Sequence, residues 1–367
     1  MLQPAKKKQP AVLLLEDGMV FNGRAIGKIG TVTGELCFNT GMTGYQEIFS
    51  DPSYFGQLML MTNVHIGNYG VLPAENESDS YKISGLICRN FSEVYSRSRS
   101  QLSLKSDFLN QEVVGISDVD TRALVAYIRD KGAMNAIVSS EVTDLDTLKT
   151  LLAKVPSMEG LELSSLVSTK EPYLVGNPEG TRIAAIDFGI KKNILRCFEQ
   201  EGFYIKVYPY NTKLKDIAEF SPKGIHLSNG PGDPGAMPLV VSNVIEMVKS
   251  GLPVFGICLG HQLIGEAFGL RTYKMKNGHR GINHPVKNLL TGKCEITSQN
   301  HGFAVWEEDA TNHDELRVSH INLNDGTIEG LAHKQLPVSS VQYHPEAAPG
   351  PEDSRYLFSD FKNLVGG

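Results

Sequence analysis

The sequence predicts an α/β protein of two domains: a C-terminal one built on an open, mainly parallel sheet flanked by helices, and a smaller mixed α+β N-terminal one. Three observations carry this expectation. The chain has 367 residues, more than one average domain. After residue 180, strand-like apolar runs alternate with helix-like segments, the signature of a parallel sheet covered on both faces. Between the two halves, "PSMEGLELSSLVSTKEPYLVGNPEG" loses all periodicity and is rich in proline and glycine. The expected organisation is therefore an N-terminal domain over 1–155, a linker over 156–180 and a C-terminal domain over 181–367.

Composition fits folded domains. The chain is 41% hydrophobic and 21% charged, which separates it from disordered sequences of low hydrophobicity and high charge. Its net charge of −6 gives no positive field for phosphate backbones or anionic lipid, so neither nucleic acid nor membrane is an expected partner. Lys6, Lys7 and Lys8 read as a solvated tail, because the apolar run after them ends too soon for a signal segment. Cys37, Cys88, Cys197, Cys258 and Cys294 are scattered, odd in number and without a CxxC pair, which suits free thiols in a reducing cytoplasm.

Taken in order, "AVLLLEDGMVF" reads as two strands around an Asp17-Gly18 turn. "GTVTGELCFNTGMTGYQEIFSDPSY" has no clean period and reads as an ordered, loop-rich segment. "SDVDTRALVAYIRDKG" is a helix capped by Asp118 or Asp120, with an apolar face of Ala123, Leu124, Tyr127 and Ile128, and ended by Gly132. A second helix is expected across 144–155. In the C-terminal half, "RIAAIDFG", "YIKVYPY", "GIHL" and "PVFGI" are strands. "IKKNILRCFEQEG", "LVVSNVIEMVKSG" and "LGHQLIGEAFG" are helices.

Ligands of such sheets sit beyond the carboxyl ends of the strands. Cys258 and the loop "SNGPGDP" at 228–234 both fall there. Gly256-Ile257-Cys258-Leu259-Gly260 has the form of a strand-to-helix elbow that exposes a nucleophile on a tight turn. The following helix N-terminus favours thiolate, and the Leu259 N–H is aimed where an oxyanion forms. A buried structural cysteine is the competing reading of the elbow alone. In "SSVQYHPEA", His344 and Glu346 lie two apart in an extended segment and so share a side, which suits a base and the group that orients it. His261 is expected to pack or give polar support. His279, His284 and His301 lack metal-ligand spacing, and no metal is expected. The glycine loop matches neither phosphate-binding pattern, and its N–H groups suit an oxyanion better.

With these pieces assembled, the C-terminal half resembles a class I glutamine amidotransferase domain. "GELCFNTGMTGYQEIFSDPSY", "DVDTRALVAYIRDKGAMNAIV", "IDFGIKKNILR", "MKNGHRGINHPVK" and "TSQNHGFAV" resemble the small, glutamine-hydrolysing subunit family of carbamoyl phosphate synthetase, from about residue 11 to about 362. The resemblance implies Cys258 as nucleophile, His344 as proton carrier and Glu346 as its orienter. It implies L-glutamine contacts at Ser53, Gly230, Gly232, Leu259, Gln262, Asn300, Gly302 and Phe303. It also implies that ammonia passes to a large partner subunit, which uses ATP and Mg2+, with K+ a further candidate ion, to make carbamoyl phosphate for arginine and pyrimidine synthesis. No cofactor is expected in this chain, because no ATP-binding motif is present. Two stretches depart from the family pattern, Asn63-Val64-His65 before "IGN" and Ser96-Arg97-Ser98-Arg99. A different amidotransferase, a cysteine peptidase or esterase and a catalytically silent subunit are the alternatives.

Overall fold

The computed structural model describes residues 9–366, so the lysine run at Lys6, Lys7 and Lys8 lies outside the described residues. The chain divides into two compact units between Ser157 and Met158.

The first unit is a closed barrel, where the sequence predicted only a mixed α+β domain. Its nine strands are β1 (Pro10–Leu15), β2 (Val20–Gly27), β3 (Thr31–Asn39), β4 (Gln57–Met61), β5 (His65–Ile66), β6 (Gly85–Ile87), β7 (Asn90–Phe91), β8 (Val114–Ser117) and β9 (Met134–Ser139). Seven of them close in the order β1-β2-β8-β6-β4-β3-β9, and β5 pairs with β7 apart from the barrel. The expected β1–β2 hairpin is present, with Gly18 at φ 93° in its turn. The rest was hidden for a physical reason. All five residues of β4 are buried, so it shows no polar alternation, and β6 has only three residues. The segment read as loop-rich contains β3, whose parallel pairing with β4 joins residues 20 or more apart. The helix Thr121–Lys131 forms as expected: Asp120 Oδ1 accepts the Ala123 N–H at 3.0 Å, and Gly132 follows at φ 105°. Its buried face is Leu124 and Ile128, which join Leu13, Leu58 and Ile116 in one core, while Ala123 faces solvent. The second helix runs Leu145–Leu152, capped by Asp144.

The second unit carries ten strands: β10 (Tyr173–Gly176), β11 (Thr181–Asp187), β12 (Phe203–Pro209), β13 (Gly224–Leu227), β14 (Val254–Ile257), β15 (Thr272–Asn288), β16 (Cys294–Val305), β17 (Leu316–Asn322), β18 (Ile328–His333) and β19 (Val338–Val341). Their order is β10-β12-β11-β13-β14-β19-β18-β17-β15-β16. The run from β12 to β19 is parallel, whereas β10 and the arm from β18 to β16 pair antiparallel. The sheet is thus mixed, not mainly parallel. The parallel core still obeys its rule: along β11, Ile183 and Ala185 enter one core with Phe198 and Phe361, and Ala184 and Ile186 enter another with Val244 and Leu263. The expected linker is also corrected. Residues 158–180 fold with this unit, because β10 pairs with β12 and Leu161 O accepts the Asp233 N–H of the glycine loop at 2.9 Å.

Glycines at the elbow are demanded by close approach. A Cβ on Gly260 would lie 2.2 Å from Leu227 O, and one on Gly256 would lie 2.7 Å from Ile264 Cδ1 and 2.8 Å from Gly260 C. Gly260→Ala must therefore push helix from strand, and we expect a loss of about 3 kcal/mol in urea unfolding. A wild-type urea midpoint would show that the elbow has slack.

Candidate active site

Cys258 sits between β14 and the helix Leu259–Ala267 at φ 54°, ψ −105°, a backbone region that non-glycine residues rarely occupy. Its own N–H donates to Val341 O at 2.9 Å, and the Gly260 N–H donates to Ser228 O at 3.0 Å. The N–H groups on either side of Leu259 are thereby committed. The thiol is buried and meets Asn300 O at 3.6 Å.

His344 follows β19, the strand next to β14, and its backbone N–H donates to Ser298 O on β16. Its Nδ1 lies 2.7 Å from Glu346 Oε1; a carboxylate only accepts, so Nδ1 carries the proton there. Its Nε2 is buried with the Cys258 thiol as neighbour. Burial pushes the imidazole pKa down, but the Glu346 carboxylate and the Cys258 thiol outweigh it and hold the group up at about 10. Burial pushes Glu346 up, and Lys191 with His344 outweighs that and brings it down to about 2. The three side chains paired by pattern in the sequence are therefore one buried, ordered series.

Lys191 completes that series, and sequence reasoning missed it. Its ammonium is buried, 2.9 Å from Glu346 Oε1 and 2.6 Å from Ala347 O. Asn193 Nδ2 adds a bond to Glu346 O at 2.6 Å. "IKKN" looks like a solvated helix start, and no periodicity distinguishes Lys191 from Lys192.

The glycine loop packs against this series. Ser228 Oγ accepts the Phe188 N–H, Asn229 Oδ1 accepts the Lys191 N–H, and Gly230 lies against Phe188 O. Gly232 has φ 97°, and a Cβ there would meet Leu161 O at 2.7 Å. On the far side, Gln262 Nε2 donates to Phe303 O at 2.9 Å and to Gln342 Oε1 at 3.0 Å. Asn300, Gly302 and Phe303 lie together on β16. Ser53 belongs to the first unit, in the short turn Pro52–Tyr54, where its N–H donates to Asp51 Oδ1 at 2.9 Å; its assignment to glutamine rests on the resemblance alone.

His261 gives polar support, with Nδ1 2.9 Å from Ser340 Oγ, and burial lowers its pKa to about 3. Strand pairing does bring His279, His301 and Glu329 together, their ligand-type atoms within 4.8 Å of one another. Each already has protein partners. His279 Nε2 lies 2.8 Å from Asp325 Oδ2, His301 Nδ1 donates to Phe303 O at 2.8 Å, and Glu329 accepts from Gln299 and Asn322. Burial lowers the His279 pKa, but hydrogen bonds to Asp325 and Glu329 win and raise it to about 9. This is a hydrogen-bonded polar cluster behind the β16 wall.

Residues 184–364 match the model of the class-I glutamine amidotransferase family, and residues 13–138 match that of the carbamoyl-phosphate synthase small chain, CPSase domain. A carbamoyl phosphate synthase small chain of Chlorobaculum tepidum is 50% identical over 97% of this chain and 98% of its own. Those of a Synechococcus and of Akkermansia muciniphila are each 46% identical, over 98% and 97% of this chain and 94% and 97% of their own. The chain belongs to the carbamoyl-phosphate synthase small-chain family. Its two departures from the small-chain pattern are absorbed inside the first unit. Arg97 makes a two-pronged ion pair with Glu75 at 2.8 and 2.9 Å and lies over the Tyr69 ring, and Asn63 Nδ2 donates to Met42 O at 2.8 Å.

Proposed function

We propose that this chain hydrolyses the side-chain amide of L-glutamine to glutamate and ammonia, and that the ammonia goes to a large, ATP-dependent subunit that makes carbamoyl phosphate from bicarbonate for arginine and pyrimidine synthesis. The observation that carries the reading is the thiol of Cys258, held on a strained elbow beside a His344 that Glu346 and Lys191 orient.

The Cys258 thiolate attacks the amide carbon and forms a C–S bond. Backbone N–H groups of Leu259 and Gly232 receive the charge that develops on oxygen. His344 gives its proton to the leaving nitrogen as the C–N bond breaks, releasing ammonia and a thioester. The same imidazole then takes a proton from water, which attacks the thioester; glutamate departs and the thiolate returns. Gly230, Gln262, Asn300, Gly302 and Phe303 line the substrate. Nothing in this chain has an ATP-binding motif, so ATP, Mg2+ and any K+ belong on the large subunit. The first unit supplies docking surface for that partner, with Met42, Val64 and Val94 exposed on its loops. The five cysteines are free thiols and no helix among the described residues is long and apolar enough to cross a membrane, which suits work in the cytoplasm.

The direct test is trapping. Acid quenching during turnover of glutamine is expected to leave a γ-glutamyl adduct on the tryptic peptide that contains Cys258, seen by mass spectrometry. Rapid glutamate release with an adduct on any other residue, or turnover of peptides and esters but not glutamine, overturns the reading.

A further inference from the structure

The C-terminal helix Tyr356–Gly366 does not close on β17, β18 and β19, and a cavity of about 300 Å³ lies between them. It belongs to the second unit, and neither the series Cys258, His344 and Glu346 nor any glutamine contact named above lines it.

The gap follows from the side chains. Along β19, Ser340 Oγ lies 2.9 Å from His261 Nδ1 and Val338 packs in the core that holds Leu263, so alternation turns Ser339, between them, to the opposite face. Ser339 is the register partner of Phe255 on β14 and of Ala332 on β18, and Ala332 is that of Arg317 on β17. The Phe255 ring centroid is 5.8 Å from that of Phe361, which sets this row beneath the helix. The helix brings Leu357, Phe361 and Leu364 to the cavity, at i, i+4 and i+7. Serine and alanine are too short to reach them.

The polar lining is sparse. His320 is buried, its Nδ1 is 2.9 Å from Ser319 Oγ, and its Nε2 has no partner among the described residues. Burial holds that imidazole down at about 4, so it is neutral. Ser339 is half-buried, and its hydroxyl makes no hydrogen bond among the described residues. Arg317 and Asp360, the charged residues of the lining, are exposed and opposite in sign. An ion would therefore lose hydration here without an enclosed counter-charge. An apolar body gains by burial, and apolar cavities of about 150 Å³ already take up benzene. Phe255, Phe361 and Tyr356 offer it aromatic partners.

We propose that this cavity is a binding site for a small uncharged aromatic molecule of the phenol class, its ring among Phe255, Phe361 and Leu364 and its hydroxyl bonded to Ser339. The site is independent of the glutaminase reading.

The test is isothermal titration calorimetry of the full chain with 4-ethylphenol, ethylbenzene and 4-ethylbenzoate at about pH 7, where only the last is charged. 4-Ethylphenol should bind the wild type one to one with a Kd of about 0.1–1 mM. That is expected to be about fivefold tighter than ethylbenzene and at least about tenfold tighter than 4-ethylbenzoate. Ala332→Phe fills the space beside Ser339 and should weaken 4-ethylphenol about tenfold or more, and Ala332→Leu answers the same question if the phenylalanine variant does not fold. Ser339→Ala keeps the space and should bring 4-ethylphenol and ethylbenzene to within about twofold of each other. No binding of 4-ethylphenol below about 10 mM, unchanged affinity in the folded Ala332 variant, a preference that survives Ser339→Ala, or tighter binding of 4-ethylbenzoate overturns the proposal.

Discussion

Cys258→Ala is expected to lower glutamate release from glutamine by at least about 10⁴-fold, to the background of the assay, while the folded protein persists. The size follows from what is removed: with no nucleophile there is no thioester, and the oxyanion donors and His344 have nothing to act upon. The fold should persist because the side chain contributes little to packing beyond its Cβ, and the backbone of residue 258 is held from outside by Val341 O and by Ser228 O through Gly260. A second variant separates chemistry from strain. Cys258 stands at φ 54°, where a Cβ is disfavoured, so Cys258→Gly should be as inactive as alanine yet unfold at a higher temperature than Cys258→Ala. Glutamate release by either variant at a tenth of the wild-type rate would show that the thiol is not the nucleophile. A glycine variant less stable than alanine would show that the elbow is not strained.

That the elbow could be read from sequence at all has a local cause. Gly256 is required by Gly260 and Ile264 in the helix that directly follows Cys258, so the small-residue spacing around the cysteine survives as a pattern, although Gly260 itself is required by Leu227 on the distant β13. His344 and Glu346 were legible through their close spacing, but not through the extended backbone expected of them: the segment is a turn, closed by the Ala347 N–H on His344 O at 3.1 Å, and that turn sets Glu346 Oε1 2.7 Å from the imidazole. Lys191 was not legible. Its partners Glu346 and Ala347 are about 155 positions away, and nothing in a pair of lysines says which one the fold buries. The barrel was lost for a related reason. Strands buried on both sides, such as β4, carry no alternation, and the parallel pairs β3–β4, β4–β6 and β6–β8 leave no turn signature between partners. The antiparallel arm of the second sheet was likewise unread: β15 and β16 are long, bulged and flanked by segments with no crossover helix to announce them. It matters for the proposed function, because this arm carries Asn300, Gly302 and Phe303, the proposed glutamine contacts.

Glu346→Gln is the second substitution with a large expected effect, and it should separate two jobs of one carboxylate. In the wild type Glu346 faces two positive groups, His344 at 2.7 Å and Lys191 at 2.9 Å, with every partner buried. Removing its charge leaves the Lys191 ammonium in the interior without its counter-ion, which costs about 3–5 kcal/mol. It also withdraws the group that holds His344 protonated at Nδ1 and correctly turned, so kcat should fall by about 10²-fold or more. The pH dependence gives the sign. The folded pKa of His344 is raised from 6.5 to about 10, so its share of stability is full below pH 6.5 and is lost as pH rises through 10. Glu346 is lowered from 4.5 to about 2, so its share is full above pH 4.5 and is lost as pH falls through 2. The wild type should therefore exceed the variant in melting temperature by the most between pH 4.5 and 6.5, and the gap should narrow on either side. Adding Lys191→Met to Glu346→Gln removes the stranded charge and should restore most of the stability without restoring turnover, because the imidazole still lacks its orienter. Recovery of activity in the double variant would mean that the ion pair matters only for folding, and no recovery of stability would mean that the cost of Glu346→Gln lies in its contact with His344 alone.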